Sequence, residues 1–142
     1  MTDAIDFIAS FEGFSSKPYL CPAGKWTIGF GDTMWKGKPV TSLTKQIDRE
    51  DADNALAHRL VGFQAELDSL VNVPLNRNEN LALLSLIYNI GATKLKKSTL
   101  LRLLNNGKRQ EAAEEFLKWD KSGGKRRRRE AERKLFLTTV KG

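Results

Sequence analysis

A single cysteine, Cys21, among 142 residues leaves no partner for an internal disulfide, so the fold must stand on packing alone, as suits a protein made in a reducing cytoplasm. Histidine is equally scarce. His58 stands with no second histidine or cysteine at ligand spacing, so it reads as a surface residue, and neither a metal nor another cofactor is expected. No apolar stretch approaches the length of a membrane span, and the N-terminus lacks the basic, apolar and small-residue succession of a signal peptide. Repeats, linkers and low-complexity tracts are missing too, apart from one arginine run. What remains is 40% hydrophobic, enough at this length for one core and therefore for one domain of at most two lobes.

Charge is present but uneven. Residues 119–142 hold nine Lys or Arg (Lys121, Lys125, Arg126, Arg127, Arg128, Arg129, Arg133, Lys134, Lys141) against Asp120, Glu130 and Glu132, a balance of +6 within a total of +7. Such a segment either steers polyanions over long range or forms a solvated helix face that serves solubility and local pairing. Four consecutive arginines cannot share one helix face, so part of the run Arg126 to Arg129 is expected in solvent on either reading.

Near the other end, Glu12, Cys21 and Thr27 lie around a helix end and a hairpin. Ala4, Ile5, Phe7, Ile8 and Phe11 follow helical spacing, and Gly13 stops the helix just after Glu12. The carboxyl then sits at the negative end of the helix dipole beside Phe11 and Phe14. Both surroundings favour its protonated form, as a general acid requires. Residues 18–20 run into a turn at 22–25, and Trp26, Thr27 and Ile28 return with alternating faces. Cys21 before the turn and Thr27 after it are expected to converge on one solvent position. Gly29 and Gly31, flanking Phe30, let backbone approach closely, as the floor of a cleft requires. Each residue also has an ordinary use: a helix-end Glu is commonly solvated, a lone Cys is commonly a small buried hydrophobe, and Thr suits any strand.

Further blocks follow in order. After Thr27, Ile28, Gly29, Phe30, Gly31 come Tyr88, Asn89, Ile90, Gly91, then Ser98, Thr99, Leu100, Leu101, Arg102, then Arg127, Arg128, Arg129, Glu130, Ala131, Glu132, Arg133, Lys134, Leu135, Phe136. Together with the spacing of Glu12, Cys21 and Thr27, these blocks resemble the phage-type lysozymes, or endolysins, of the T4 lysozyme family, over nearly the whole chain. The resemblance implies an α+β, mostly helical, lysozyme-like fold and a muramidase. Such an enzyme hydrolyses the β-1,4 bond between N-acetylmuramic acid and N-acetylglucosamine of peptidoglycan, for host cell lysis. It implies catalytic roles for Glu12, Cys21 and Thr27. Two positions depart from the usual pattern: Cys21 replaces the commoner aspartate, which touches mechanism, and Asp32 stands where a histidine is frequent, which touches stability.

The remaining chain reads as helices. Asp48 with Asp51 looks like an N-terminal cap, and Ala52, Ala55, Leu56, Leu60, Phe63, Leu67 and Leu70 mark one face of a helix to about Asn72, roughly 35 Å long. Asn76 with Glu79 gives the next cap. Residues 81–90 are apolar nearly all round, so that helix should be the buried centre. Gly91 ends it, Ser98 starts another, Asn106 and Gly107 end that, a further helix carries Ala112, Ala113, Phe116, Leu117 and Trp119, and the last follows Gly123 and Gly124. The expected organisation is a small β lobe over 15–47, a connecting helix over 48–72, and a helical lobe made of 1–14 and 73–142.

Tyr88, Asn89 and Thr33 are candidate substrate contacts, and Trp26 and Trp35 offer apolar faces to sugar rings or to the core. Arg126, Arg127, Arg128 and Arg129 are the candidate contact for anionic outer-membrane lipids. A monomer is expected, with no nucleic acid as partner, held in the host cytoplasm until release to the wall. In the chemistry of glycosidases one carboxyl protonates the leaving oxygen while a second group attacks or activates water. Thr27 can hold that water. A thiol of ordinary acidity is only a few per cent ionised at pH 7, so Cys21 needs help, for which Lys17 or Lys25 is placed. Two alternatives stay open: a lytic transglycosylase, which needs only one acid, and a basic nucleic-acid- or membrane-active protein without hydrolase activity.

Overall fold

The structure is a computed structural model that describes residues 2–120 and 125–140; Lys121, Gly123, Gly124 and Lys141 of the sequence reading lie outside the described residues. Helix α1 (Thr2–Glu12) stops where the glycine predicts, because Gly13 takes a left-handed φ of +71° and its N–H closes on the Ala9 carbonyl at 3.2 Å. Two antiparallel hairpins follow. The first pairs β1 (Ser15–Leu20) with β2 (Trp26–Gly29), and the second pairs β3 (Met34–Trp35) with β4 (Lys38–Pro39).

Between the hairpins the chain reverses tightly: Ile28 and Asp32 exchange both backbone hydrogen bonds, at 2.9 and 2.8 Å. Gly29 makes that reversal possible. Its φ is +65°, and a Cβ built there would lie 2.9 Å from Oδ2 of Asp32, closer than any side chain tolerates. Gly29→Ala is therefore expected to cost about 2 kcal/mol or more, from the left-handed backbone and from displacing a buried carboxylate. A urea unfolding midpoint equal to that of the parent would contradict this account.

Helix α2 (Arg49–Leu70) starts with Asp48 and Asp51 each accepting the other's backbone N–H, at 2.8 and 3.2 Å, a reciprocal cap at the expected place. Helix α3 (Arg77–Ile90) starts with the complete capping box of Asn76 and Glu79. Its residues 82–87 are all buried, as its all-round apolar character demands. Then come α4 (Ala92–Lys96), α5 (Thr99–Asn105) capped by Ser98, α6 (Arg109–Glu115) running into a 3-10 turn at Phe116–Trp119, and α7 (Arg126–Leu137). Only α4 lacks a counterpart in the sequence reading, since its five residues show no periodicity to detect.

The fold is α+β and mostly helical, as expected. The chain divides into two compact units, Met1–Arg59 and Leu60–Gly142, so the division runs within α2 and groups α1 with the hairpins, where the sequence reading set 1–14 with the helical lobe. Ile8, Ile28, Phe30, Ile47, Ala52 and Leu56 are among the buried apolar residues of the first unit. In the second unit α7 packs along α3.

Candidate active site

The register of the first hairpin decides which side chains meet. Tyr19 faces Thr27 and Leu20 faces Trp26, and Cys21 bonds through its N–H to the Lys25 carbonyl at 2.9 Å. Directly opposed residues share a face and alternate residues share it again, so Tyr19, Cys21, Lys25 and Thr27 lie on one side of the ribbon. Cys21 and Thr27 are diagonal neighbours there. Thr27 is 3% exposed, and its hydroxyl donates to the Lys25 carbonyl at 3.0 Å.

Cys21 is half-exposed and held below the ordinary acidity range of a thiol. The largest cause is the backbone N–H of Lys25, opposed by some desolvation and supported by the backbone of Ala23 and the side chain of Thr27. The help thus comes from the turn itself rather than from the Lys17 or Lys25 ammonium. Iodoacetamide is accordingly expected to alkylate Cys21 with a pH midpoint below that of a free cysteine, and in doing so to inactivate the protein. A midpoint at or above the free value would remove this picture of the turn.

Glu12, half-buried at the end of α1, is linked electrostatically to the reversal that follows Thr27. Asp32 is 5% exposed, and burial pushes its carboxyl up, against the guanidinium of Arg59 at 2.7 Å and the backbone N–H of Phe30. The charge of Glu12 pushes it up further. A recess of about 410 Å³ opens beside this pair, lined by Asp32, Met34, Trp35, His58 and Arg59 among others. Arg59 went unnoticed in the sequence. The signal was there, because it falls on the stripe of Ala52, Ala55, Leu56 and Phe63, where an unpartnered charge would be costly.

Other predicted residues separate into the two units. Thr33 belongs to the first; it is exposed, and its carbonyl accepts the Val40 N–H at 2.9 Å. Tyr88 and Asn89 belong to the second, half-buried near the end of α3, with Tyr88 edge-on to Phe63 at 5.6 Å between centroids. Trp26 and Trp35 are half-buried, and His58 is exposed as expected.

The arginine run needs correction. Arg126 and Arg127 are exposed, and Arg126 pairs with Glu130 at 2.8 Å. Arg128 and Arg129 are instead 3% and 0% exposed. Glu132, also fully buried, lies 3.3 Å from Nε of Arg128 and 2.8 Å from Nε of Arg129, and it accepts the Ser85 hydroxyl at 2.6 Å. Arg128 donates to the Ser85 carbonyl at 3.0 Å. Arg128 and Glu132 fasten α7 to Ser85 of α3, Arg129 braces Glu132 from the same helix, and the two buried arginines offer nothing to a lipid surface.

Residues 9–132 match the sequence profile of phage lysozyme. An endolysin of Bacillus phage B103 is 43% identical over 141 residues, covering 94% of this chain, although the chain spans only about half (52%) of that relative. An endolysin of Acyrthosiphon pisum secondary endosymbiont phage 1 is 38% identical over 138 residues, covering 91% of each chain. The solved endolysin from Escherichia coli O157:H7 phage FAHEc1 superposes with a TM-score of 0.91 at 32% identity, over 100% of this chain and 95% of the other. With a paired thiol and hydroxyl, an acid at the first helix end and likeness along its whole length, the chain belongs to the phage lysozyme family.

Proposed function

We propose that this lysozyme-type glycosidase cleaves the β-1,4 bond between N-acetylmuramic acid and N-acetylglucosamine in peptidoglycan, and that Glu12, Cys21 and Thr27 carry the chemistry. The supporting observation is the shared face of Cys21 and Thr27, with the Lys25 N–H turned on the sulfur, on a hairpin whose next reversal carries a carboxylate that feels Glu12. Glu12 gives its proton to the leaving glycosidic oxygen. A water held by the Thr27 hydroxyl attacks the anomeric carbon and passes its proton to the Cys21 thiolate. The carbon–oxygen bond to the leaving sugar breaks as the bond to water forms, and a reducing end results.

Facing a thiol, the Thr27 hydroxyl keeps its proton on the Lys25 carbonyl; facing a thiolate, it can turn that proton to the sulfur or accept one from water. Aspartate at position 21 would do the same work, so Cys21→Asp is expected to keep activity while Cys21→Ala loses most of it. The enzyme would act as a monomer, waiting in the host cytoplasm for release to the wall.

Mass spectrometry of products from purified wall material tests the reading. Reducing muramic-acid ends support it, 1,6-anhydro ends would reassign the protein as a transglycosylase, and no soluble product would reject both.

A further inference from the structure

We propose that the small β segment carries a second substrate contact, a lysine-rimmed groove that takes the carboxylates of the peptide stems attached to the glycan. This rests on the reading of peptidoglycan as substrate. Residues 15–47 hold five lysines against one aspartate, a balance of +4 hidden in the whole-chain total by acidic stretches elsewhere. The aspartate is Asp32, buried against Arg59 and so unable to neutralise the surface.

Three of those lysines, Lys36, Lys38 and Lys45, line a groove of about 740 Å³ with Trp35 and Leu43. All three are exposed, and among the described residues none of them forms an ion pair. Asp51 also borders the groove, but it is engaged at the start of α2, where its Oδ2 accepts the Asp48 N–H at 3.2 Å. Leu43 is 89% exposed and Trp35 half-buried, so apolar surface stands beside the ammonium groups. A short peptide that alternates methyl-bearing residues with carboxylates matches that mixture.

The backbone supplies an independent pointer. Trp35 pairs with Lys38, leaving Lys36 and Gly37 as a two-residue turn with φ of +50° and +79°. Such a turn prefers Asn-Gly, because a left-handed residue with a long side chain is strained. Lys36 is the only non-glycine with positive φ among the described residues. That one left-handed side chain lines the groove, and backbone strain of this kind persists only where the surrounding structure holds it.

The test uses glycan strands with free-carboxylate peptide stems, and the same strands stripped of stems by an amidase. Binding is measured by calorimetry in the Glu12→Gln background, so that strands stay intact. Lys36→Asn with Lys38→Gln and Lys45→Gln is expected to weaken binding of stem-bearing strands about tenfold and to leave stripped strands unchanged. Lys36→Asn alone should weaken stem binding about threefold while holding or raising the unfolding midpoint, which a merely structural lysine would not do. Equal losses on both strands, or no loss on either, would overturn the groove. Stem-dependent binding by a parent that releases no product would retain the groove and reject the hydrolase reading instead.

Discussion

Glu12→Gln is expected to abolish wall lysis, with a fall of about 10³-fold or more in kcat on purified peptidoglycan. Glutamine keeps the shape and the half-buried position of the side chain but has no acidic proton to give. The leaving sugar would then depart as an alkoxide, which nothing else identified in the first unit is placed to prevent. One effect on the fold has a known sign. The charge of Glu12 pushes the Asp32 carboxyl up, so removing it favours the ionised Asp32 that pairs with Arg59 at 2.7 Å. A urea unfolding midpoint measured on the same variant separates loss of the proton donor from loss of fold. Lysis above a tenth of the parent level in a folded variant would remove Glu12 as the proton donor.

Much of this site was legible in the sequence because its geometry is local. The period of a strand and the position of one turn are enough to place Cys21 and Thr27 on a common face, and Gly13 is enough to end α1 beside Glu12. The caps at Asp48, Asn76 and Ser98 were readable for the same reason, since each is settled within three residues. Causes that depend on which atoms of a turn point inward were not readable. Two lysine side chains near Cys21 were the evident source of its altered acidity, whereas the source is a backbone N–H that any residue at position 25 but proline would supply. Nor could a composition count show that the +4 of residues 15–47 stands largely in solvent while half of the arginine run is buried. That difference follows from tertiary packing. α3 is apolar on nearly every side and needs covering, α7 has few apolar residues beyond Leu135 and Phe136, and so its polar side is drawn in along with them.

The burial of Arg128 and Arg129 sets up the largest expected effect on stability. Glu132→Ala should cost about 3–5 kcal/mol, because it leaves two guanidiniums that are 3% and 0% exposed without their carboxylate. Desolvation pushes the Glu132 carboxyl up and the Arg129 guanidinium down, each toward its neutral form; their mutual attraction is the largest opposing cause, with Ser85 and Arg128 also holding the carboxylate charged. Such a pair adds little by existing and is costly to break. Two controls follow from that asymmetry. Arg126→Ala, which breaks the exposed pair with Glu130, should cost less than about 1 kcal/mol although it lies in the same run. Arg129→Met combined with Glu132→Leu should lose less than Glu132→Ala alone, since Arg128 keeps its bonds to Ser85 and no second charge is stranded. Thermal unfolding separates these cases, with a drop of about 10 °C or more for Glu132→Ala against a degree or two for Arg126→Ala. Similar drops in both would mean that α7 is held to α3 by its few apolar contacts, with the buried ions as bystanders.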